Sequence, residues 1–115
     1  MTVTVYGIPN CDTVKKARAW LDLSGISYTF HDYKKAGADA DKLRDWARVA
    51  GWEPLLNRAG TTFRKLPESE REGLNETRAI TLMAAHPSAI RRPVVEHPGG
   101  LLVGFDAAAW GAALR

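Results

Sequence analysis

The sequence predicts an α/β fold in which a mixed four-stranded sheet is flanked by helices, with a helical insertion between a βαβ half and a ββα half. Three observations carry that prediction: a strand–helix–strand order up to Tyr33, a middle stretch with helical periodicity only, and a hairpin followed by a last helix. Two strands joined through a helix pair in parallel, whereas a hairpin is antiparallel, so one mixed sheet is the simplest closure. At 115 residues the chain is expected to form a single domain, 1–115, with the insertion over approximately 38–90.

Each element has its own signal. Thr2-Val3-Thr4-Val5-Tyr6 alternates and is rich in β formers, and Gly7 and Pro9 end it. From Thr13 the period becomes helical, with Val14, Ala17 and Leu21 on one face and Asn10 or Asp12 as the cap, until Ser24-Gly25. Ile26 to Tyr33 alternates again as a second strand. Asp39, Ala40 or Asp41 opens a helix carrying Leu43, Trp46, Ala47 and Ala50, which Gly51 stops. Trp52–Leu56 reads as a turn or short helix and Asn57–Lys65 as a loop. A helical stretch begins at Pro67 and continues from Asn75 to Ala85, where His86-Pro87 ends it. Val94–Glu96, a Pro98-Gly99-Gly100 turn and Leu101–Phe105 form the hairpin, and Asp106 caps the last helix.

Composition narrows the function classes. With 45% hydrophobic and 25% charged residues and no low-complexity run, the chain is globular. No apolar run approaches the roughly 20 residues that cross a bilayer, so no membrane partner is expected. The net charge of +3 is spread over basic pairs such as Lys15-Lys16 and Arg91-Arg92, without the basic stripe of a nucleic-acid binder. A small anionic ligand suits these charges better. One cysteine forms no internal disulfide and the N-terminus lacks a signal-peptide pattern, which together predict a reducing, cytoplasmic setting. His31, His86 and His97 show no ligand spacing, so no metal is expected.

That single cysteine, Cys11, is the candidate catalytic residue, because it stands at the first strand-to-helix turn. A sulfur there meets unpaired backbone N–H groups and the positive end of the helix dipole, both of which favour the thiolate. The helix N-terminus contributes only about 0.3–1 kcal/mol, so a further cation is expected beside it. A phosphatase-type loop needs an arginine nearer to the cysteine than Arg18, which excludes that reading.

The motifs Tyr6-Gly7-Ile8-x-Asn10-Cys11-Asp12-Thr13-x-Lys15-Lys16-Ala17, His31-Asp32-Tyr33, Leu55-Leu56-Asn57, Gly60–Leu66 and Arg92-Pro93-Val94 resemble the arsenate reductase (ArsC)/Spx family, above all its YffB-like branch. The resemblance runs end to end and implies a thioredoxin-like fold, a nucleophilic Cys11, and a cis Pro93 preceded by an anion-contacting Arg92. Arsenate-reducing members surround the cysteine with three arginines, and here the other two positions hold Asn57, with Arg58 adjacent, and Gly104. Spx-type regulators commonly carry a Cys-x-x-Cys switch, and here Val14 stands at the second position.

The resemblance therefore implies a monothiol oxidoreductase with no tightly bound cofactor, which uses glutathione as co-substrate, or a glutaredoxin, to reduce a small oxidised or glutathionylated substrate. Arg92 is the first candidate for the added cation, ahead of Lys15 and Arg64. Asn10, Asp12, Lys15, Arg64, Arg92 and Pro93 are the expected glutathione-binding residues, with basic groups on the carboxylates and the Pro93 strand edge on the peptide backbone. Arsenate reduction, and a regulator that binds RNA polymerase without a redox switch, are the rival readings.

Overall fold

β-branched residues open the chain, and Thr4–Gly7 form the strand β1, on which Val5 and Tyr6 point to opposite faces. The computed structural model describes residues 2–115. Helix α1 (Asp12–Leu23) buries Val14, Ala17 and Leu21, the face that the sequence predicts. Strand β2 (Thr29–Asp32) lies parallel to β1, with Thr4 opposite Thr29 and Tyr6 opposite His31. Strands β3 (Val94–His97) and β4 (Gly100–Val103) form the hairpin, and β3 also pairs antiparallel with β1, giving the order β2-β1-β3-β4. Helix α8 (Ala107–Leu114) closes the chain, its N-cap Asp106 accepting the Ala108 N–H. This mixed sheet, built from a βαβ and a ββα half, is the thioredoxin-like architecture expected.

The chain divides into two compact units, one running to Ala36 and resuming over Arg92–Arg115, the other Gly37–Arg91. The first holds the sheet, α1, a short α2 (Tyr33–Ala36) and α8. Its core sets Val5 and Val95 of the sheet, with Val3 just before β1, against Leu21 and Trp110 of the helices. The buried indole N–H of Trp110 finds an acceptor in the Gly104 carbonyl at 3.1 Å, and its ring meets Phe105 edge-on at 4.9 Å.

The second unit holds α3 (Ala40–Ala50), α4 (Trp52–Leu55), α5 (Thr61–Arg64), α6 (Glu68–Arg71), α7 (Glu76–Ala85) and a 3-10 turn, Pro87–Ala89. Leu43, Trp46, Leu55, Phe63, Ile80, Met83 and Ile90 are among its buried residues. Arg91 ties its end to α4, donating from its backbone N–H to Leu55 O at 2.7 Å and from Nε to Pro54 O at 3.0 Å.

Several boundaries differ from the sequence reading, each for a local reason. β2 starts at Thr29 and not at Ile26, because the Ile26 N–H is still closing the end of α1 on Leu21 O. Tyr33 begins a helix instead of ending β2, since the Asp32 carboxylate accepts the Lys34 N–H and turns the chain. The expected loop at 57–65 contains α5, anchored by the buried Phe63. The helical stretch from Pro67 is broken before α7, where Gly73 takes φ +62 and Asn75 caps the new helix by accepting the Arg78 N–H. Among the described residues, no helix is long and apolar enough to cross a membrane.

Candidate active site

The turn that carries Cys11 is set by how closely α1 approaches the end of β1. A Cβ added to Gly7 would stand 2.9 Å from Val14 Cγ2, and Val14 is fully buried, so only glycine lets the helix sit this near the strand. The Cys11 N–H then donates to Ile8 O at 3.1 Å, closing a tight turn, while Cys11 O accepts the Lys15 N–H at 2.9 Å as the first bond of the helix. Cys11 is thereby itself the N-cap, with extended backbone at φ −80, ψ 126. The expected caps are corrected: Asn10 lies in the turn and Asp12 is already the first helical residue.

The cysteine sulfur makes no capping hydrogen bond, and Cys11 is half-buried. The first-turn N–H groups of α1 thus have no side-chain acceptor among the described residues, the condition under which a helix start favours an anion. Lys15 and Asp12 are exposed on that first turn.

The second half of the predicted site lies at the same end of the sheet. Tyr6 of β1 is opposite Val94 of β3, so one further step of this register brings Pro93 alongside Gly7. The Arg92–Pro93 peptide is cis, as the resemblance implies. Pro93 is buried and its carbonyl accepts the Gly104 N–H at 2.8 Å. Arg92 is half-buried, and neither its backbone nor its guanidinium has a hydrogen-bond partner among the described residues. Arg64 ends α5 in the inserted unit, exposed.

A polar cluster on the sheet face opposite Val5 was not anticipated from the sequence. Tyr6 Oη donates to Glu96 Oε1 at 2.6 Å, a short charge-assisted bond, and its ring lies 4.9 Å from His31 and 6.4 Å from Tyr33. Burial pushes the Tyr6 phenol well above its ordinary value, helped by the bond to Glu96 and by that carboxylate's charge. Tyr33 is pushed up chiefly by burial, with Tyr6 and Glu96 adding to the rise and the positive charge of Arg92 opposing it. Its hydroxyl is buried without a hydrogen-bond partner among the described residues. Strand alternation places Tyr6 and Glu96 on one face, but only the register between β1 and β3 brings them within reach.

The depleted arginine positions also have a structural setting. Gly104 takes φ +77, a conformation that L side chains rarely adopt, so an arginine there would strain the backbone. Asn57 is held in its own unit, its N–H on Ala89 O at 2.8 Å. Val14, at the second position of a Cys-x-x-Cys spacing, is core.

A thioredoxin-like fold whose first helix starts at the one cysteine of the chain, with Pro93 at the same end of the sheet, is the class of structure these observations define. The model of the ArsC family matches residues 6–113, and the chain belongs to that family. A solved structure named YFFB superposes with TM-score 0.96 at 54% identity, covering 98% of this chain and 99% of that one. An arsenate reductase (ArsC) related protein from Brucella melitensis is 56% identical with TM-score 0.77, covering 100% and 96%. Among curated relatives, an uncharacterized protein of Haemophilus influenzae is 41% identical over 90% of this chain and 91% of its own length. The global transcriptional regulator Spx of Listeria innocua is 27% identical over 90% and 80%.

Proposed function

We propose that the protein is a monothiol oxidoreductase that reduces a small oxidised or glutathionylated substrate in a reducing, cytoplasmic compartment, with glutathione as co-substrate. The observation that carries this reading is Cys11, the one cysteine of the chain, capping α1 with its sulfur uncommitted and partly exposed. In the first step the Cys11 thiolate attacks the glutathione sulfur of a mixed disulfide; the old S–S bond breaks, a Cys11–glutathione disulfide forms, and the substrate leaves as a thiolate that takes a proton. A second glutathione thiolate then attacks that disulfide, releasing oxidised glutathione and restoring the Cys11 thiolate. The net exchange consumes one glutathione thiol, turning substrate–S–S–glutathione into the substrate thiol and oxidised glutathione, so no second protein cysteine is needed.

The guanidinium of Arg92, without a hydrogen-bond partner among the described residues, suits a glutathione carboxylate, and its backbone N–H and C=O, likewise without a partner among them, suit the peptide main chain. The positive φ at Gly104 supports thiol reduction over arsenate reduction, because it disfavours the arginine that arsenate-reducing members place there. The similarity to Spx favours a regulator that binds RNA polymerase as the second reading, although the buried Val14 leaves no partner thiol for a switch.

Turnover of glutathione mixed disulfides and of arsenate by wild type and Cys11→Ser, coupled to glutathione reductase, tests the proposal. Wild type is expected to reduce the mixed disulfide, Cys11→Ser to lose more than about a hundredfold in rate, and mass spectrometry after oxidised glutathione to find one adduct on Cys11. Equal turnover by the two proteins, or no adduct, would sink it. Reduction of arsenate alone would select the arsenate reading, and capture of polymerase by a protein with no turnover would select the regulator.

A further inference from the structure

We propose that the outer edge of β2, together with Arg18, is a docking site for an extended peptide segment of a partner protein that presents one acidic side chain. This surface is independent of the thiol chemistry at Cys11. β2 ends the sheet order, so one side of it has no strand neighbour among the described residues. Its Thr29 N–H donates to Val3 O of the β1 side at 2.9 Å, and in a parallel ladder alternate residues bond to the same neighbour. Thr29 and His31 therefore face β1, while the N–H and C=O of Phe30 point outward, available to an added strand.

Beside that same residue stands a prepared cation. The Arg18 guanidinium carbon lies 4.1 Å from the Phe30 ring centroid and 5.8 Å from that of Tyr28, and its Nε donates to Tyr28 Oη at 3.1 Å. Stacking and the Nε bond hold the guanidinium plane, leaving its two terminal nitrogens without an acceptor among the described residues. Held this way, the fork loses little freedom when a carboxylate binds. Arg18, Asp22, Tyr28 and Phe30 line an open depression of about 620 Å³ along this edge.

Geometry links the two features. A residue paired opposite Phe30 on an added strand projects to the same sheet face as the Phe30 ring, with Cβ atoms about 5 Å apart. That is the face on which Arg18 covers Phe30, so a glutamate at this position reaches the terminal nitrogens. Asp22, one helical turn beyond Arg18, sets a limit: its carboxylate repels a second acidic residue, so the fitting segment carries a single acid among neutral β formers.

Amide NMR of the full-length protein tests this with a capped five-residue peptide of alternating threonine and valine around a central glutamate. Saturable shifts at Tyr28–Asp32 are expected, with the glutamate peptide bound about fivefold more tightly than its glutamine counterpart. Arg18→Gln should erase that preference. Asp22→Asn should strengthen binding of the glutamate peptide, a second readout that does not depend on the Arg18 variant keeping its fold. Three results would overturn the proposal: no shifts on β2 at millimolar peptide, equal binding of the two peptides to wild type, or β2 shifts that follow protein concentration without peptide, which would assign the edge to a second copy of the chain.

Discussion

The sheet unit and the inserted unit are held together in different ways. In the sheet unit the key bonds join distant parts of the chain: Tyr6 to Glu96, ninety residues apart, and Arg115 to Ser24, ninety-one apart. In the insertion they are mostly local. Arg78 closes its own neighbourhood by donating to Ser69, Glu72 and Gly73 carbonyls, and Arg44–Asp41 and Arg48–Asp45 are exposed one-turn pairs of the kind that contributes little. The proposed site lies in the unit that depends on long-range pairing, because Cys11 and Arg92 come to the same end of the sheet only when β1 and β3 pair. Damage to the first unit should therefore be global, and damage to the second confined.

The largest expected effect breaks the sheet unit's core. Trp110→Ala removes a fully buried ring and the bond to Gly104, and a loss of about 3–5 kcal/mol in urea unfolding is expected. A loss below about 1 kcal/mol would show that the two units do not differ as described. Gly7→Ala comes next, at about 1–3 kcal/mol, because the new methyl meets the buried Val14; here the Cys11 alkylation rate should fall along with stability, since α1 must move. Unchanged alkylation and stability would mean that the turn adapts without cost.

Alkaline pH should weaken the sheet unit through its buried phenols. Both Tyr6 and Tyr33 titrate above their ordinary value in the folded chain, whereas the unfolded chain releases these protons near pH 10. Below about pH 10 both states keep the proton and stability is flat with respect to these groups. As pH rises past that point only the unfolded state loses it, so stability falls by up to about 1.4 kcal/mol per pH unit per tyrosine until the folded phenol titrates. Urea midpoints at pH 9 to 11 should show this fall in wild type and a shallower one in Tyr33→Phe, which also removes an unpartnered hydroxyl. Identical slopes would exclude Tyr33 as a source.

The smallest effect belongs to the insertion. Asn75→Ala removes the cap of α7, with an expected loss of about 1 kcal/mol. Hydrogen exchange should quicken about fivefold in the first turn of α7 and leave the sheet amides unchanged. Faster exchange in β1 or β3 would show that the units unfold as one.

The fold was legible wherever a repeat of two or 3.6 residues ran without interruption. Val14, Ala17 and Leu21 marked the buried face of α1, and Leu43, Trp46 and Ala47 that of α3. It was less legible where one side chain redirects the backbone, as Asp32 does at the start of α2, or where a buried anchor makes a single turn, as Phe63 does in α5. Cys11 and the cis Pro93 were visible as motif residues. The Cys11 cap was not, since cysteine carries no capping preference and the close approach of Gly7 to Val14 decides the turn.

By itself, then, the sequence determined the order and type of the main elements, the family likeness and the one available thiol, because periodicity, turn chemistry and composition are local properties. Only the tertiary structure decided that Tyr6 reaches Glu96, that position 104 takes a backbone angle suited to glycine, and that the Arg18 guanidinium lies over the Phe30 ring beside an open strand edge. Each of these depends on strand register or helix placement. Those are settled by burial and pairing across the whole chain, and no local pattern records them.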